Sequence, residues 1–248
     1  MALVLGACST GADPTDAPVA IERLERTLLA QLGSGAEAWL LCGRFELTRG
    51  EFLSEADPRE RECPMTMISW PECATWAEQR GFRGPTAAEW RALAGAPVEN
   101  ANTAALARNT LELGLGRALP VGVFERGRSP MGGYDFYGNV WEMVDPGEAG
   151  RLQALGGSFA AREVGADARE ALVLELGDRA EDVGARYVAG AVNYFREQVL
   201  PAWQDSPSTA ERALRRAVAN WKADARARFA VLLRTEGFPA ELCAVLER

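Results

Sequence analysis

The chain has 248 residues, 48% of them hydrophobic and 25% charged, a composition typical of a globular protein that buries a sizeable core. Its formal net charge of −8 argues against nucleic-acid binding through phosphate contacts, and no stretch approaches the roughly 20 apolar residues of a membrane-spanning helix. The chain has no histidine, which excludes Ser-His-Asp and Cys-His catalysis, histidine-ligated zinc, and iron sites built from histidines and a carboxylate.

Residues 1–17 predict a truncated signal with a lipobox, followed by a tether. The segment LGAC at 5–8 resembles the motif at which bacterial lipoproteins are cleaved and lipidated on cysteine, here Cys8, and the polar stretch after it is typical of a flexible tether. Only seven residues precede Cys8 and none is basic, fewer than a secretory signal requires. Two interpretations stay open: a lipid-anchored or periplasmic cell-envelope protein, or a cytoplasmic protein with a chance match.

The cysteines leave two further alternatives. No pair has CxxC spacing, so a zinc ribbon is not expected. With Cys8 lipidated in an oxidising compartment, the other four would suffice for two disulfides of undetermined pairing: Cys42, Cys63, Cys73 and Cys243. Alternatively, the last two are buried thiols, since both lie in helical patterns.

The first predicted elements form a helix and then a strand. Apolar residues three and four apart predict an N-terminal helix over 18–37 that is stopped by Gly33, with these residues on one face: Ile21, Leu24, Leu28 and Leu32. The apolar segment over 38–52 predicts a strand followed by a turn.

Two short helices follow with clear start signals. Ser69 and Glu72 form a capping-box pattern before a helix that stops at Gly81. Thr86 and Glu89 repeat the pattern before a helix that ends at Gly95.

The remaining chain divides into an irregular and a helical part. Residues 97–188 are rich in glycine and predict loops with short strands. From 190 to 248 the pattern is helical, and Ser208 with Glu211 marks the start of one long amphipathic helix over 208–236. We expect this helix to pack on the preceding domain or to mediate contacts with a partner.

Between Phe45 and Val188 the chain carries a series of motifs in a fixed order: FELTRGEF, MTMISWPECATWAEQRGFRGPTAAEW, NANTA, LPVGVFERGRSPMGGYDFYGNVWEMV, ALGGSFAAR and VGARYV. In identity and order these motifs resemble the formylglycine-generating enzyme, or sulfatase-modifying factor, family. The resemblance implies an α+β fold with little regular structure, related to the C-type lectin fold, over 38–189. The GNVWE string with the upstream PVG and SP is its most specific part.

The resemblance also implies a structural calcium site in the GNVWE segment. Carried over by position, the ligands are the Asp135 side chain, the Gly138 and Val140 carbonyls and the Glu142 side chain, a set of hard oxygen donors that suits calcium. A competing hypothesis is that Glu142 is a buried acid paired with an arginine such as Arg186. A second family calcium site would begin at Asn102, but its later aspartate has no counterpart here.

The catalytic positions depart from the family. Its copper-binding cysteines lie three and eight residues after the serine of the GGS motif, where this chain has Ala161 and Ala166. The related iron-dependent branch uses histidines, which this chain lacks. We therefore expect neither copper, iron nor zinc.

Two functions remain as hypotheses. The first is a non-catalytic binding or assembly module of a cell-envelope lipoprotein, whose protein or glycan ligand would contact the loops Arg126–Met131 and Arg162–Arg169. The alternative is a diverged oxidoreductase of the sulfatase-modifying type that acts on a protein or a small molecule. Four tryptophans in the helix-start and GNVWE motifs are expected in the core rather than on the ligand surface: Trp70, Trp76, Trp90 and Trp141.

Overall fold

Two small β-sheets surrounded by short helices make up the computed structural model, which describes residues 17–96, 107–147, 150–162 and 171–248. The strands are β1 (Thr27–Gln31), β2 (Trp39–Gly43), β3 (Trp141–Val144), β4 (Leu152–Leu155), β5 (Leu172–Leu174), β6 (Val183–Ala185) and β7 (Val188–Gly190). One sheet has the antiparallel order β1-β2-β7. The other has the order β5-β4-β3-β6, in which β3 and β6 are parallel.

Helices flank both sheets and make up most of the C-terminal part. They are α1 (Ala17–Glu22), α2 (Arg49–Phe52), α3 (Trp70–Glu78), α4 (Ala87–Ala94), α5 (Ala191–Tyr194), α6 (Leu200–Asp205), α7 (Pro207–Ala217), α8 (Ala223–Thr235) and α9 (Ala240–Glu247). Single 3-10 turns lie at Arg23–Arg26, Leu111–Leu113 and Glu125–Gly127, and a π-helical turn at Phe195–Val199 joins α5 to α6. The expected α+β fold with little regular structure in the middle of the chain is confirmed. No helix in these ranges is long and apolar enough to cross a membrane.

The prediction of one helix over 18–37 is wrong after its first turns. The helix α1 and the following 3-10 turn end at Arg26, and the chain then forms β1, which pairs with β2 from Thr27 opposite Gly43 onward. Alternate residues of β1 enter different cores: Leu29 packs in the larger one, whereas Leu28 and Ala30 pack in the smaller one. A strand with apolar residues on both faces can match helical spacing by coincidence, and its pairing partners decide the outcome.

Both capping boxes in the middle of the chain form as predicted. Glu72 accepts hydrogen bonds from the amide (2.9 Å) and the hydroxyl (2.7 Å) of Ser69, which caps α3. Thr86 caps α4, because its hydroxyl accepts the Glu89 amide at 3.2 Å while Glu89 accepts the Thr86 amide at 2.8 Å. These contacts satisfy backbone N–H groups that a helix start would otherwise leave unpaired.

The single helix expected over 208–236 is instead two helices. The helix α7 ends at Ala217 and α8 begins at Ala223. Between them, the buried indole of Trp221 donates to the carbonyl of Thr27 at 3.0 Å, a contact that draws the turn onto the first sheet. Ser208 lies inside α7 without a capping role, and Glu211 pairs with Arg215.

The C-terminal helices share one hydrophobic core with the domain before them. Phe229 of α8 is fully buried, and its ring centroid lies 5.3 Å from that of Trp39 and 5.2 Å from that of Phe195. The four described cysteines are free thiols on separate segments: Cys42, Cys63, Cys73 and Cys243. The two disulfides considered for an oxidising compartment are therefore not formed in this structure. The alternative prediction of buried thiols for Cys73 and Cys243 is confirmed.

Candidate functional site

The GNVWE segment leads into β3 through a turn with unusual backbone angles. Asp135, Gly138 and Asn139 have φ values of 58°, 83° and 63°. A Cβ at Gly138 would stand 2.5 Å from the carbonyl oxygen of Asn109, so only glycine fits there. Asn139 tolerates its left-handed conformation, and its side chain binds the neighbouring loop: its Oδ1 accepts the Asn109 side-chain amide at 3.1 Å and the Leu119 amide at 2.8 Å.

Glu142 lies in β3, fully buried, and binds Arg186 through both carboxylate oxygens. Nη2 of Arg186 is 2.5 Å from Oε1, and Nε is 2.9 Å from Oε2. The indole nitrogen of Trp90 donates to Oε2 at 2.6 Å. This pairing is the competing hypothesis for Glu142, and the contacts support it.

Arg186 uses its remaining donors on the backbone of two other segments. Nη1 donates to the carbonyl of Gly43 at 2.9 Å and Nη2 to that of Tyr134 at 2.7 Å, while the guanidinium carbon lies 3.9 Å from the ring centroid of Phe136. One buried arginine therefore ties β2, β3 and the loop before β3 together. Buried ion pairs persist when such additional hydrogen bonds satisfy both partners.

Two more acids lie nearby, one of which the sequence reasoning missed. Asp135 is buried and accepts the Gly122 amide at 2.6 Å; burial raises the pKa of Asp135 to about 6. Glu46 is fully buried and accepts the Asn139 side-chain amide at 2.8 Å and the Val140 amide at 3.1 Å. Burial, with the charges of Asp135 and Glu142, holds the pKa of Glu46 well above its usual range. Its only sequence signal was an acid inside the apolar stretch that follows β2.

The residues expected to bind calcium lie close together in the fold, but their polar groups contact other parts of the protein. Val140 and Gly138 are buried in the turn, and their amides donate to Glu46 and to the Gly156 carbonyl. Glu142 does not fit the role of a calcium ligand in this arrangement, because Arg186 and Trp90 engage both of its oxygens. No group of three Asp, Glu or Cys side chains within the described ranges could hold a metal ion. The calcium site expected from the family resemblance, with Asp135, Gly138, Val140 and Glu142 as ligands, stays a prediction.

The segment after the GGS motif forms a tight turn. The Ser158 hydroxyl donates to Asp182 at 2.7 Å and accepts the amides of Ala160 and Ala161 at 3.2 Å. The Ala161 carbonyl accepts the amide of Leu111 at 2.9 Å. Ala166 and most of the loop Arg162–Arg169 lie outside the described residues, as do Cys8 and Asn102.

The other predicted surface and the tryptophans can be located. The loop Arg126–Met131 begins in a 3-10 turn and closes through the Ser129 hydroxyl, which accepts the Gly133 amide at 3.2 Å. Trp76 and Trp90 are buried and Trp70 and Trp141 are half-buried, each in or against a hydrophobic core, as expected.

Comparisons with known proteins agree on one family and one fold. The model of the sulfatase-modifying factor enzyme 1-like domain matches residues 46–191. None of the curated proteins compared with the chain matches it. Several solved structures share the fold at low sequence identity.

Three of these structures each cover 61% of this chain. CarF is 19% identical with a TM-score of 0.52 over 86% of its own chain. Variable protein 1 of Treponema denticola is 15% identical with a TM-score of 0.53 over 84% of its chain. PvdO from Pseudomonas aeruginosa is 18% identical with a TM-score of 0.50 over 80% of its chain. At these identities the likeness concerns the fold alone.

Proposed function

The chain belongs to the sulfatase-modifying factor enzyme 1-like domain family, and we propose that within this family it is a non-catalytic binding or assembly module of the bacterial cell envelope. Ala161 carries the proposal: it stands where the family resemblance places the first copper-binding cysteine, and an alanine side chain can neither ligate copper nor form a thiolate. The second cysteine position is Ala166.

The remaining thiols do not substitute for the missing pair. Cys42 lies in β2, Cys73 in α3 and Cys243 in α9, while Cys63 lies in the turn before Pro64. Burial raises the pKa of the Cys42 thiol to about 12 and also raises the pKa of the Cys73 thiol. A copper site needs thiolates, which these buried groups do not supply near neutral pH.

The same scaffold suits binding. A rigid core held by the Glu142–Arg186 pair supports loops such as Arg126–Met131, and loops on a rigid core are the usual carriers of ligand contacts. The proposed ligand is a protein or a glycan.

A copper titration tests the proposal. Monovalent copper added to the reduced protein is expected to give no tight, stoichiometric thiolate signal. A double variant, Ala161→Cys with Ala166→Cys, restores both positions and serves as the matched positive control. Stoichiometric, high-affinity copper binding by the unaltered chain would overturn the proposal and favour a diverged oxidoreductase.

Anchoring is tested separately. We propose that Cys8 carries a lipid, on the strength of LGAC and the polar segment after it. Labelling with a radioactive fatty acid in a bacterial host, using the reading frame extended upstream, should mark the unaltered protein and not a Cys8→Ser variant. Equal labelling of both would end this part of the proposal.

A further inference from the structure

Three arginines surround a pair of stacked aromatic rings beside β2, a group named here the arginine–aromatic cluster: Arg26, Arg44, Arg128, Phe45 and Tyr134. The ring centroids of Phe45 and Tyr134 are 5.3 Å apart with an interplanar angle of 27°. The guanidinium carbon of Arg44 lies 5.7 Å from the centroid of Phe45 and 5.3 Å from that of Tyr134. Arg26 lies 5.3 Å from Phe45, and Arg128 lies 5.4 Å from Tyr134.

The backbone fixes these side chains in place. The amide of Arg44 donates to the Arg26 carbonyl at 2.7 Å, and the Arg44 carbonyl accepts the Tyr134 amide at 2.9 Å. Arg26 and Arg44 therefore lie opposite each other and extend the pairing of β1 with β2 by one residue beyond the pair Thr27 and Gly43. Like charges directly opposite each other in a sheet destabilise it, so the arrangement needs compensation.

Acids pair with the charges of the two outer arginines, although Nε and Nη2 of Arg26 are buried without a hydrogen bond. Arg26 has its Nε 3.2 Å from Glu51 and its Nη1 3.1 Å from Glu62. Nη1 of Arg128 lies 3.2 Å from Glu125, whose other oxygen accepts the Tyr134 hydroxyl. Glu125 and Glu62 are thus already engaged.

Arg44 has no such partner. Its Nε is buried and makes no hydrogen bond, and within the described residues no acid lies at ion-pair distance from its guanidinium. Glu125 interacts with its charge only at longer range. Buried donors without an acceptor are rare in native proteins and destabilise the fold. Stacking on aromatic rings also holds a guanidinium in a fixed orientation, which lowers the entropy lost when it binds an anion.

We propose that Arg44 binds a carboxylate, supplied by the ligand of this module. A guanidinium without an ion-pair partner matches one planar monoanion through two parallel hydrogen bonds. A phosphate dianion would bring more negative charge close to the Glu125 carboxylate than Arg44 can balance. The inference rests on the proposed binding function and names the chemistry that the ligand would present.

The charge of the whole chain sets limits on this binding. With a net charge of −8, the protein as a whole repels anions, so the site depends on local contacts rather than on long-range attraction. Binding of a free small carboxylate should consequently be weak.

Nuclear magnetic resonance of the whole chain tests the site. Sodium acetate is titrated against chloride at constant ionic strength while the Nε–H signal of Arg44 and the amide signals of Phe45 and Tyr134 are followed. The expected result is a saturable shift of all three. In Arg44→Lys, which keeps the charge and loses the planar fork, acetate should bind about tenfold more weakly, as the loss of one charge-assisted bidentate contact implies. Arg59→Lys, an exposed arginine outside the cluster, should bind acetate like the unaltered chain.

Further titrations distinguish the possible sources of the carboxylate and test competing anions. A short peptide with a single glutamate is titrated in the same way, and the same signals are followed. If it binds more tightly than acetate, the source of the carboxylate is an acidic protein segment; if the two affinities are equal, the source is a free carboxylate. Tighter binding of inorganic phosphate than of acetate overturns the assignment, as does the absence of a saturable shift or an equal affinity in Arg44→Lys. Melting curves of both variants, expected to match that of the unaltered chain, show that the fold is intact. These results are independent of the copper titration, so either proposal can fail alone.

Discussion

Arg186 holds both carboxylate oxygens of Glu142 inside the protein, with Nη2 2.5 Å from Oε1 and Nε 2.9 Å from Oε2, and neither side chain reaches solvent. The two residues lie 44 positions apart in the chain. Their pairing joins β3 to the connection between β6 and β7, and through the Gly43 carbonyl it reaches β2 of the other sheet. The most specific motif of the sequence thus stabilises the junction of the two sheets.

Phe229→Ala should destabilise the whole protein, because the ring is fully buried between Trp39 and Phe195. Replacing a buried phenylalanine with alanine costs about 3–5 kcal/mol of unfolding free energy. Chemical denaturation measures this loss of unfolding free energy. Val231→Ala in the same helix is the control, since Val231 is 59% exposed. A loss confined to the C-terminal helices, with the rest of the chain unfolding as before, would show that α8 does not stabilise the domain.

Ser69→Ala should lower the unfolding free energy by about 1 kcal/mol, the usual effect of losing a helix N-cap. Ser208→Ala is its matched control: the sequence pattern predicts a capping box at Ser208, but the structure places this residue inside α7. We expect no measurable change from Ser208→Ala in thermal melts. An equal loss in both variants would favour the capping box that the sequence suggested.

The pH dependence of stability should show a contribution from Glu72. The hydrogen bond from the Ser69 amide, followed by those from Arg179 and the Ser69 hydroxyl, lowers the pKa of Glu72 to about 2. Because the folded-state pKa lies below the unfolded value of about 4.3, the contribution is present above that value and is lost as pH falls towards 2. Denaturation of Glu72→Gln and of the unaltered chain between pH 7 and pH 2 should converge at the acid end. A constant difference would contradict the shift.

Local signals predicted much of the fold, and long-range pairing decided the rest. The capping boxes at Ser69 and Thr86 depend on residues three positions apart, so the sequence shows them directly. The strand β1 could not be found this way, since Leu28 and Leu29 enter different cores that only tertiary contacts define. The break before Trp221 has the same origin, because its hydrogen-bond partner Thr27 lies 194 positions away.

The candidate site shows the same limit. The resemblance identified Asp135 and Glu142 as important acids, but the partner of each depends on the fold. Glu46 was missed because a single acid near an apolar stretch has no periodicity or motif to mark it. Arg44 was missed because the feature that distinguishes it, an unpaired guanidinium against two rings, exists only in three dimensions.

Glu142→Gln decides between the two roles considered for this residue. The substitution keeps the shape of the side chain but removes the charge that faces Arg186, leaving a buried guanidinium without its counter-ion. Loss of one partner of a buried pair typically costs about 3 kcal/mol or more, so the variant should be destabilised at every calcium concentration. If Glu142 instead binds calcium, the ion should raise the melting temperature of the unaltered chain as ligand linkage requires, and the variant should lose that response.

Melting curves of the unaltered chain and of Glu142→Gln, each with calcium and with a chelator, therefore separate the outcomes, and Asp145→Asn, outside the proposed ligand set, is the control. Because Glu142 already contacts Arg186 and Trp90, we expect Glu142→Gln to lose the same stability with calcium and with chelator. A calcium-dependent rise in the unaltered chain that persists in Glu142→Gln would assign the ion to Asp135 and the turn carbonyls without Glu142. A rise that disappears only in Glu142→Gln would show that calcium displaces Arg186 from the carboxylate, contrary to the arrangement described here.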